Sequence, residues 1–187
     1  CGSGTILIEA ALMARHIAPG LLRLRNGLGF AFQRWVDHPI GAFERLEGML
    51  REEVLDAAPE PILGADIDPG VLARARRNSE RAQVRDCIKF ARRDARETRP
   101  GGQAGHLVTN PPYGERLGEF NELMTLMSEF ATTLKHFYAG WSAHILLSDP
   151  KLLKQLGLKP KRKRVVHNGP IECRLATIEL YAGTRRH

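Results

Sequence analysis

The chain has 187 residues, of which 43% are hydrophobic and 26% are charged, so it can form one globular domain with a buried core. Its formal net charge of +7 favours polyanionic partners, although charge alone does not identify one. It has no apolar run long enough to span a bilayer, so we expect no membrane partner, and no Cys-x-x-Cys pair, so we expect no metal. Its three widely spaced cysteines predict reduced thiols in a cytoplasmic protein.

A glycine-rich loop, Cys1-Gly2-Ser3-Gly4-Thr5, opens a predicted helix over Ile6–Ala14, which stops near Ala18–Gly20. Glycines allow the backbone to approach a ligand, and the N-terminus of the following helix attracts negative charge. A Gly-x-Gly pattern is also common in plain turns, so this signal is weak. Such a loop normally follows a strand, and the chain has no initiator Met. We therefore expect a fragment that lacks the first central strand of its sheet.

The next segment, residues 21–40, is predicted to be irregular, with Gly27–Phe30 and Trp35 as packing points. Apolar residues recur at helical spacing from Phe43 to Val54 and predict a second helix. Ile62–Ala65 is a short apolar run and predicts a strand. The polar residues that follow this strand are candidates for ligand binding.

Two acids follow this strand in the order Asp66-Ile67-Asp68, and Pro69 then begins a helix predicted over Val71–Ala82. An acid after the second strand of a doubly wound fold typically accepts hydrogen bonds from ribose hydroxyls. We assign that role to Asp66, with Ile67 beside it in the binding segment. Asp68 stands directly before a proline and suits the N-cap of the helix.

A third short apolar segment, Cys87–Ala91, ends near Asp94. The Asp94 carboxylate could accept a hydrogen bond from an adenine amino group. It could equally be a solvated acid among Arg92, Arg93 and Arg96, and the residues alone leave both alternatives open.

The second half of the chain alternates short apolar segments with a long amphipathic helix and ends in a hairpin. Its predicted elements are a strand at 106–109, a helix from Phe120 to Leu134, a strand at 144–148, and strands near 159–167 and 172–181 joined by Asn168-Gly169-Pro170. This alternation predicts an α/β fold with a doubly wound, mostly parallel sheet, helices on both faces and a C-terminal antiparallel hairpin.

The most informative stretch is Asn110-Pro111-Pro112-Tyr113, directly after the strand at 106–109. Two consecutive prolines cannot continue a β-ladder, so the backbone must turn with Asn110 and Tyr113 at the tip. In an open α/β sheet, ligands bind at this end of the strands. An amide oxygen, a proline carbonyl and an aromatic face suit a flat molecule with an exocyclic amine. The alternative is a plain proline-rich surface turn.

A glycine loop with ribose and adenine acceptors fits either NAD or S-adenosylmethionine. The Asn-Pro-Pro-Tyr turn favours the second, since dehydrogenases have no use for it. The chain resembles class I S-adenosylmethionine-dependent methyltransferases over nearly its whole length, and within them the 23S rRNA guanine-N2 methyltransferases of the RlmL type. The resemblance is carried by Cys1–Thr5 with Ile8-Glu9-Ala10-Ala11, by Ala18-Pro19-Gly20-Leu21, by Asn110–Leu117 and by Asn168–Cys173.

The resemblance implies one Rossmann-like methyltransferase domain over residues 1–187, with a THUMP-type RNA-binding region upstream and outside this chain. It implies S-adenosylmethionine as cofactor and N2 of a guanine in 23S rRNA as the acceptor. The cofactor-binding residues are then Cys1, Gly2, Ser3, Gly4, Thr5, Asp66, Ile67, Asp94 and Asn110. The catalytic residues are Asn110, Pro111, Pro112 and Tyr113.

In this interpretation the Asn110 side-chain oxygen and the Pro111 carbonyl accept the two amine hydrogens, and Tyr113 stacks on a base that has been flipped out of its helix. Glu115 and Arg116 are expected to form a local pair that shapes the turn. Adenine N6 in DNA or RNA, and guanine in tRNA, fit the same turn. A further alternative is an inactive RNA-binding fragment.

A basic run lies on or before the penultimate strand and includes Lys159, Lys161, Arg162, Lys163 and Arg164. It could bind rRNA phosphates, in which case salt should weaken binding. The alternative is an edge strand that its charges protect from aggregation. Arg74–Arg77 is interpreted as the solvated face of a helix, and Trp35 and Trp141 as packing residues.

Overall fold

The computed structural model describes residues 1–113 and 117–182, which form two compact units, Cys1–Arg92 and Arg93–His187. The helices of the described residues are α1 (Thr5–Ala14), α2 (Pro19–Arg25), α3 (Ile40–Glu52), α4 (Pro69–Arg81), α5 (Leu117–Phe137) and α6 (Pro150–Leu156). The strands are β1 (Ile62–Asp66), β2 (Ile88–Arg92), β3 (Gly105–Thr109), β4 (Trp141–Leu147), β5 (Arg162–Asn168) and β6 (Ile171–Glu179).

The first unit contains a two-stranded parallel sheet in which β1 pairs with β2 from Ile62–Ile88 to Asp66–Arg92. Its core is apolar and comes mainly from α1, α2 and the segment leading into β2: Ala11, Leu12, Ile17, Leu21, Val84 and Ile88. The strands and the helix predicted around them are confirmed, with ends shifted by one or two residues.

The predicted stop of the first helix near Ala18–Gly20 is wrong. α1 ends at Ala14, and His16 then adopts a positive φ of 55°. Pro19 is the first residue of α2 and does not end a helix, because its fixed φ and missing N–H suit a helix start. Part of the segment predicted to be irregular is therefore helical.

The aromatic residues between α2 and α3 pack on one another. The Phe30 and Phe32 rings stack with centroids 5.3 Å apart, and the edge of Phe43 meets Phe32 at 5.3 Å. Trp35 is 71% exposed, so its predicted packing role is wrong, whereas Trp141 packs against the core of the second unit. Hydrophobicity alone does not tell which aromatic side chain finds neighbours.

The second unit contains a four-stranded sheet in the order β3-β4-β6-β5. β3 and β4 are parallel, with Gly105 opposite Trp141, and β6 is antiparallel to both β4 and β5. This arrangement confirms the predicted antiparallel hairpin at the C-terminal side. Gly169, at φ +62°, and Pro170 form its two-residue turn, and β5 pairs with β6 up to Asn168–Ile171.

The core of the second unit lies between this sheet and the helices α5 and α6. Its buried side chains include Leu123, Met127, Phe130, Leu134, Ala143, Ile145, Leu147, Leu152, Leu156, Ala176 and Ile178. Ala143, Ile145 and Leu147 alternate along β4, so one face of that strand is buried under the helices. Trp141 meets the ring of Tyr138 edge-on at 5.4 Å.

α6 lies outside the elements predicted from the sequence. The Asp149 carboxylate caps it by accepting from the Lys151 N–H at 2.7 Å, Pro150 is its first residue, and Gly157 ends it at φ 57°. Of the described residues, no single helix is long and apolar enough to cross a membrane; α1 and α2 reach that length and composition only as a pair bent by 94°.

Candidate active site

The glycine loop at residues 1–5 folds against the end of β1. The Asp66 Oδ2 accepts hydrogen bonds from the Cys1 amino group at 3.0 Å and from the Gly2 N–H at 2.9 Å. Its Oδ1 accepts from the Asp68 N–H at 3.1 Å. The structure therefore brings together Cys1, Gly2 and Asp66, three residues that the sequence assigned separately to cofactor binding.

The conformation of the loop depends on its glycines. Gly4 has φ +86°, is buried and lies so close to α4 that an added Cβ would stand 3.1 Å from the Cβ of Ala75. Gly2 has φ +59° and open space around it. The Asn78 side chain donates to the Ser3 carbonyl at 3.0 Å and fixes the other side of the loop. Gly4 is the N-cap of α1 and has no capping side chain, so N–H groups of the first turn stay available to a ligand.

The electrostatics of Asp66 keep it ionised. Burial raises the pKa of its carboxyl, but hydrogen bonds from the Gly2 and Asp68 N–H groups lower it, so the pKa lies below its ordinary value of 3.8. A carboxylate has about four acceptor positions, and three donors reach this one. Acceptor capacity therefore remains for a hydroxyl group.

The neighbours of Asp66 have different roles. Ile67 is 58% exposed, and its carbonyl accepts from the Arg92 Nε at 3.1 Å, which ties the end of β1 to β2. The Asp68 Oδ1 accepts from the Gly70 and Val71 N–H groups at 2.7 and 3.1 Å, so the predicted N-cap is confirmed.

In the second unit, Asp94 is held by one arginine. Its Oδ1 accepts from the N–H and the Nε of Arg96, both at 2.9 Å, and its Oδ2 accepts from the same guanidinium at 2.6 Å. Hydrogen bonds from Arg96 lower the pKa of the Asp94 carboxyl. Arg96 also pairs with Glu129 at 2.9 Å. Asp94 therefore contacts Arg96, one of the three arginines around it in the sequence, and its role towards an adenine amino group stays a prediction.

The Asn110-Pro111-Pro112-Tyr113 turn follows β3 at its carboxyl end, as predicted. Asn110 is exposed, and no hydrogen bond to its amide forms within residues 1–113 and 117–182. Pro111 and Tyr113 are half-buried, and Pro112 is exposed. The predicted pair of Glu115 and Arg116 lies outside the described residues.

The Tyr113 hydroxyl has partners that sequence reasoning missed. It accepts a hydrogen bond from the Asn168 Nδ2 at 2.6 Å, and the buried Cys173 Sγ lies 3.7 Å away. Both partners belong to the β5–β6 hairpin, 55 and 60 residues further along the chain. Only the resemblance, which includes Asn168–Cys173 as one of its motifs, pointed to this hairpin.

Two other features bear on the predicted site. In the predicted basic run, Lys161 pairs with Glu179, whereas Arg162, Lys163 and Arg164 are exposed on β5. An apolar cleft of about 770 Å³ in the first unit is lined by Phe32, Trp35 and Phe43 among others, and no predicted cofactor or catalytic residue lines it.

Comparisons with known proteins were made over the whole chain. The family model described as "UPF0020: RMKL-like, methyltransferase domain" matches residues 1–177. The chain is 44% identical over 185 residues to the ribosomal RNA large subunit methyltransferase K/L of Legionella pneumophila (strain Lens). That match covers 99% of this chain but 26% of the relative, so the chain spans about a quarter of the relative's length.

Solved structures show the same fold. A putative methyltransferase, SMU.472, crystallised with SAH, aligns over 100% of this chain and 47% of its own at 29% identity and a TM-score of 0.86. A predicted N6-adenine-specific DNA methylase from Listeria monocytogenes aligns over 98% of this chain and 45% of its own, at 29% identity and a TM-score of 0.82. These likenesses confirm the predicted Rossmann-like α/β fold class.

Proposed function

Because the chain belongs to the family of RMKL-like methyltransferase domains, we propose that it transfers a methyl group from S-adenosylmethionine to the exocyclic N2 of a guanine in 23S rRNA. The observation that carries this proposal is the Asn110–Tyr113 turn, which presents an exposed amide at the carboxyl end of β3. The relative from Legionella is named as a large-subunit rRNA methyltransferase and supports rRNA as the substrate class. A protein that acts on bacterial rRNA works in the cytoplasm.

The first unit offers groups that suit the cofactor. The Asp66 carboxylate is ionised and has acceptor capacity left for ribose hydroxyls. The loop at residues 1–5 exposes backbone N–H groups at the start of α1, which suit the carboxylate of the methionine part. Ile67, which is largely exposed, offers an apolar side chain for the adenine ring. When bound, S-adenosylmethionine supplies an electrophilic methyl group on a sulfonium.

The turn in the second unit orients the acceptor amine. The guanine N2 is a poor nucleophile because its lone pair is delocalised into the ring, so fixing its position matters more than strong base catalysis. The Asn110 Oδ1 and the Pro111 carbonyl accept its two hydrogens and draw electron density onto the nitrogen. S-adenosylmethionine would supply the methyl group to this nitrogen, while Asn110 and the Pro111 carbonyl hold the amine and its displaced proton leaves to water.

The acceptor atom is the finer part of the proposal. The same pair of acceptors fits adenine N6, and the Listeria relative is described as a predicted N6-adenine-specific DNA methylase. The resemblance that extends through Asn168–Cys173, together with the rRNA relative, favours guanine in rRNA. Contacts to rRNA phosphates are proposed for the basic run Lys159, Lys161, Arg162, Lys163 and Arg164, with Lys161 the weakest candidate because Glu179 already pairs with it.

Asn110→Ala in the full-length gene product tests the proposal. We expect turnover on unmodified 23S rRNA to be abolished while the affinity for S-adenosylmethionine, measured by calorimetry, stays within a factor of about two. Asn121→Ala, on an exposed position of α5, is the matched control and should keep full turnover. Mass spectrometry of the digested rRNA identifies the methylated nucleoside. Unchanged turnover in Asn110→Ala would remove the turn from the mechanism, and methylated adenosine would replace guanine as the acceptor.

A further inference from the structure

The hydroxyl of Tyr113 is fixed by a donor on a different element. The Asn168 Nδ2 donates to it at 2.6 Å, which is short for a neutral N–H···O hydrogen bond. Stacking on a base uses only the ring face, and a phenylalanine would serve equally well for it. The hydroxyl group therefore has a role that stacking does not explain.

The donor itself is rigidly placed. Asn168 is the last residue of β5, opposite Ile171, and the two-residue turn at Gly169 and Pro170 follows it directly. Gly169 takes the positive φ that a tight hairpin turn needs. Beneath the contact lies the buried Cys173 Sγ, 3.7 Å from the same hydroxyl. The hairpin therefore holds the Asn168 amide in place beside the Asn110–Tyr113 turn, which is not itself part of a strand.

We propose that Asn168 is a positioning residue for the reaction: it holds the Tyr113 ring, and through it the Asn110–Tyr113 turn, in the orientation that receives the base. This inference rests on the proposed function. It also explains why the turn carries a tyrosine, since only a hydroxyl can accept the Asn168 hydrogen bond. Both residues lie in the same compact unit, so the contact is local to that unit.

A double-mutant cycle with Tyr113→Phe and Asn168→Ala in the full-length gene product tests this inference. Each single variant should lower kcat on 23S rRNA by about twofold to tenfold, the range that one neutral hydrogen bond supports. The KM for S-adenosylmethionine should not change. The double variant should be no worse than either single one, because both remove the same bond. His167→Ala, at an exposed neighbouring position of β5, is the control and should keep wild-type kcat.

Additive losses in the double variant, or a loss in Asn168→Ala with none in Tyr113→Phe, would overturn the inference. The same four proteins are also compared by urea unfolding, where the cycle should show coupling between the two residues. If no rRNA is methylated by the wild type, the proposed function fails, and coupling in unfolding then decides whether the contact exists. Absence of coupling in that measurement overturns the inference independently of activity.

A different observation carries a second inference. Residues 74–92 contain seven of the chain's 28 basic residues and two of its 21 acids. The basic residues are Arg74, Arg76, Arg77, Arg81, Arg85, Lys89 and Arg92, all in the first unit, and five of them are exposed. The guanidinium groups of Arg76 and Arg85 stand 5.9 and 5.5 Å from the Phe90 ring centroid. We call this set the α4–β2 cationic surface.

Over the part of the chain that the structure describes, none of the seven residues of this surface forms a salt bridge, whereas Arg51, Arg96 and Lys161 each pair with a glutamate or aspartate. α4 buries Leu72 and Ala75 on its inner side and leaves Arg74, Arg77 and Arg81 in a row along its outer side. That row extends over roughly 10 Å of helix, a length comparable with a few successive phosphates of one strand.

We infer that the α4–β2 cationic surface binds the phosphate backbone of RNA, which goes beyond the basic run on β5 and rests on the proposed rRNA substrate. The test is the triple variant Arg74→Gln, Arg77→Gln, Arg81→Gln, with a fluorescein-labelled single-stranded RNA as the probe. For this variant, the slope of log association constant against log salt concentration should be shallower by about 2 than for the wild type, because three phosphate contacts are lost. Lys159→Gln, Lys163→Gln, Arg164→Gln is the matched variant on the other basic segment.

An unchanged affinity and slope in the α4 variant would overturn this inference, whichever result the β5 variant gives. A weaker affinity with an unchanged slope would also contradict it, because the loss would then come from something other than phosphate contacts. If labelled RNA binds through the α4–β2 cationic surface but no methylation occurs, the proposed function fails while this inference stands.

Discussion

Gly4→Ala is expected to destabilise the first unit more than the same change at Gly2. Both glycines have positive φ, and an alanine in that conformation costs roughly 1–2 kcal/mol. At Gly4 the new methyl also meets Ala75 Cβ at 3.1 Å and Ala75 Cα at 3.4 Å, neither of which can rotate away. Such overpacking adds about 1–3 kcal/mol, so we expect a loss of roughly 2–5 kcal/mol for Gly4→Ala and 1–2 kcal/mol for Gly2→Ala.

Urea unfolding followed by far-UV circular dichroism measures both losses. A third variant, Gly4→Ala combined with Ala75→Gly, removes the close contact. It should regain the part of the unfolding free energy lost to that contact, reduced by the roughly 1 kcal/mol that a glycine costs inside α4. Equal losses for the two single variants would refute the role of Ala75. A combined variant that is less stable than Gly4→Ala by the full cost of a glycine inside α4, about 1 kcal/mol, would show that the cost at Gly4 comes from backbone conformation alone.

Three other changes test separate parts of the structure. Burial, and to a smaller extent the charge of the neighbouring His106, lower the pKa of His144 below 6.5. The contribution of His144 to stability is therefore present above pH 6.5 and is lost as pH falls through the lower folded pKa. His144→Gln should flatten the pH dependence of the unfolding free energy in this pH range. Hydrogen bonds from Arg96 lower the pKa of Asp94, so Asp94→Asn should destabilise the protein at neutral pH. The difference from the wild type should shrink as pH falls below 3.8 and vanish below the lower folded pKa, as acid titrations at low salt would show. Leu134 is fully buried under the second sheet, so Leu134→Ala should lower the free energy of unfolding, measured in urea, by roughly 2–5 kcal/mol.

Much of the fold could be predicted because apolar runs and turn residues agree in most of it. The strands at β1, β2, β3 and the final hairpin were predicted from short apolar segments bounded by polar or glycine-rich turns. Two helices differ from the prediction, and both begin with a proline. Pro19, predicted to stop a helix, starts α2, and Asp149-Pro150, the cap and first residue of α6, has the same form as the correctly predicted Asp68-Pro69.

The site was predictable only as far as local signals extend. The N-cap at Asp68 and the turn after β3 follow from residues adjacent in sequence. The contact between Tyr113 and Asn168 depends on pairing of strands 55 residues apart, which no local pattern specifies. Asp94 shows the limit of local signals, since two roles are equally compatible with its sequence and the pattern does not specify which of the nearby arginines its carboxylate contacts.

The two tryptophans of this chain lie in different compact units and in different surroundings. Trp35 in the first unit is 71% exposed and should emit at long wavelength and be quenched readily by iodide. Trp141 in the second unit packs edge-on against Tyr138 and should emit at shorter wavelength with little quenching. In a Trp35→Phe variant, the emission of Trp141 alone therefore follows the unfolding of the second unit, without any label attached to the protein.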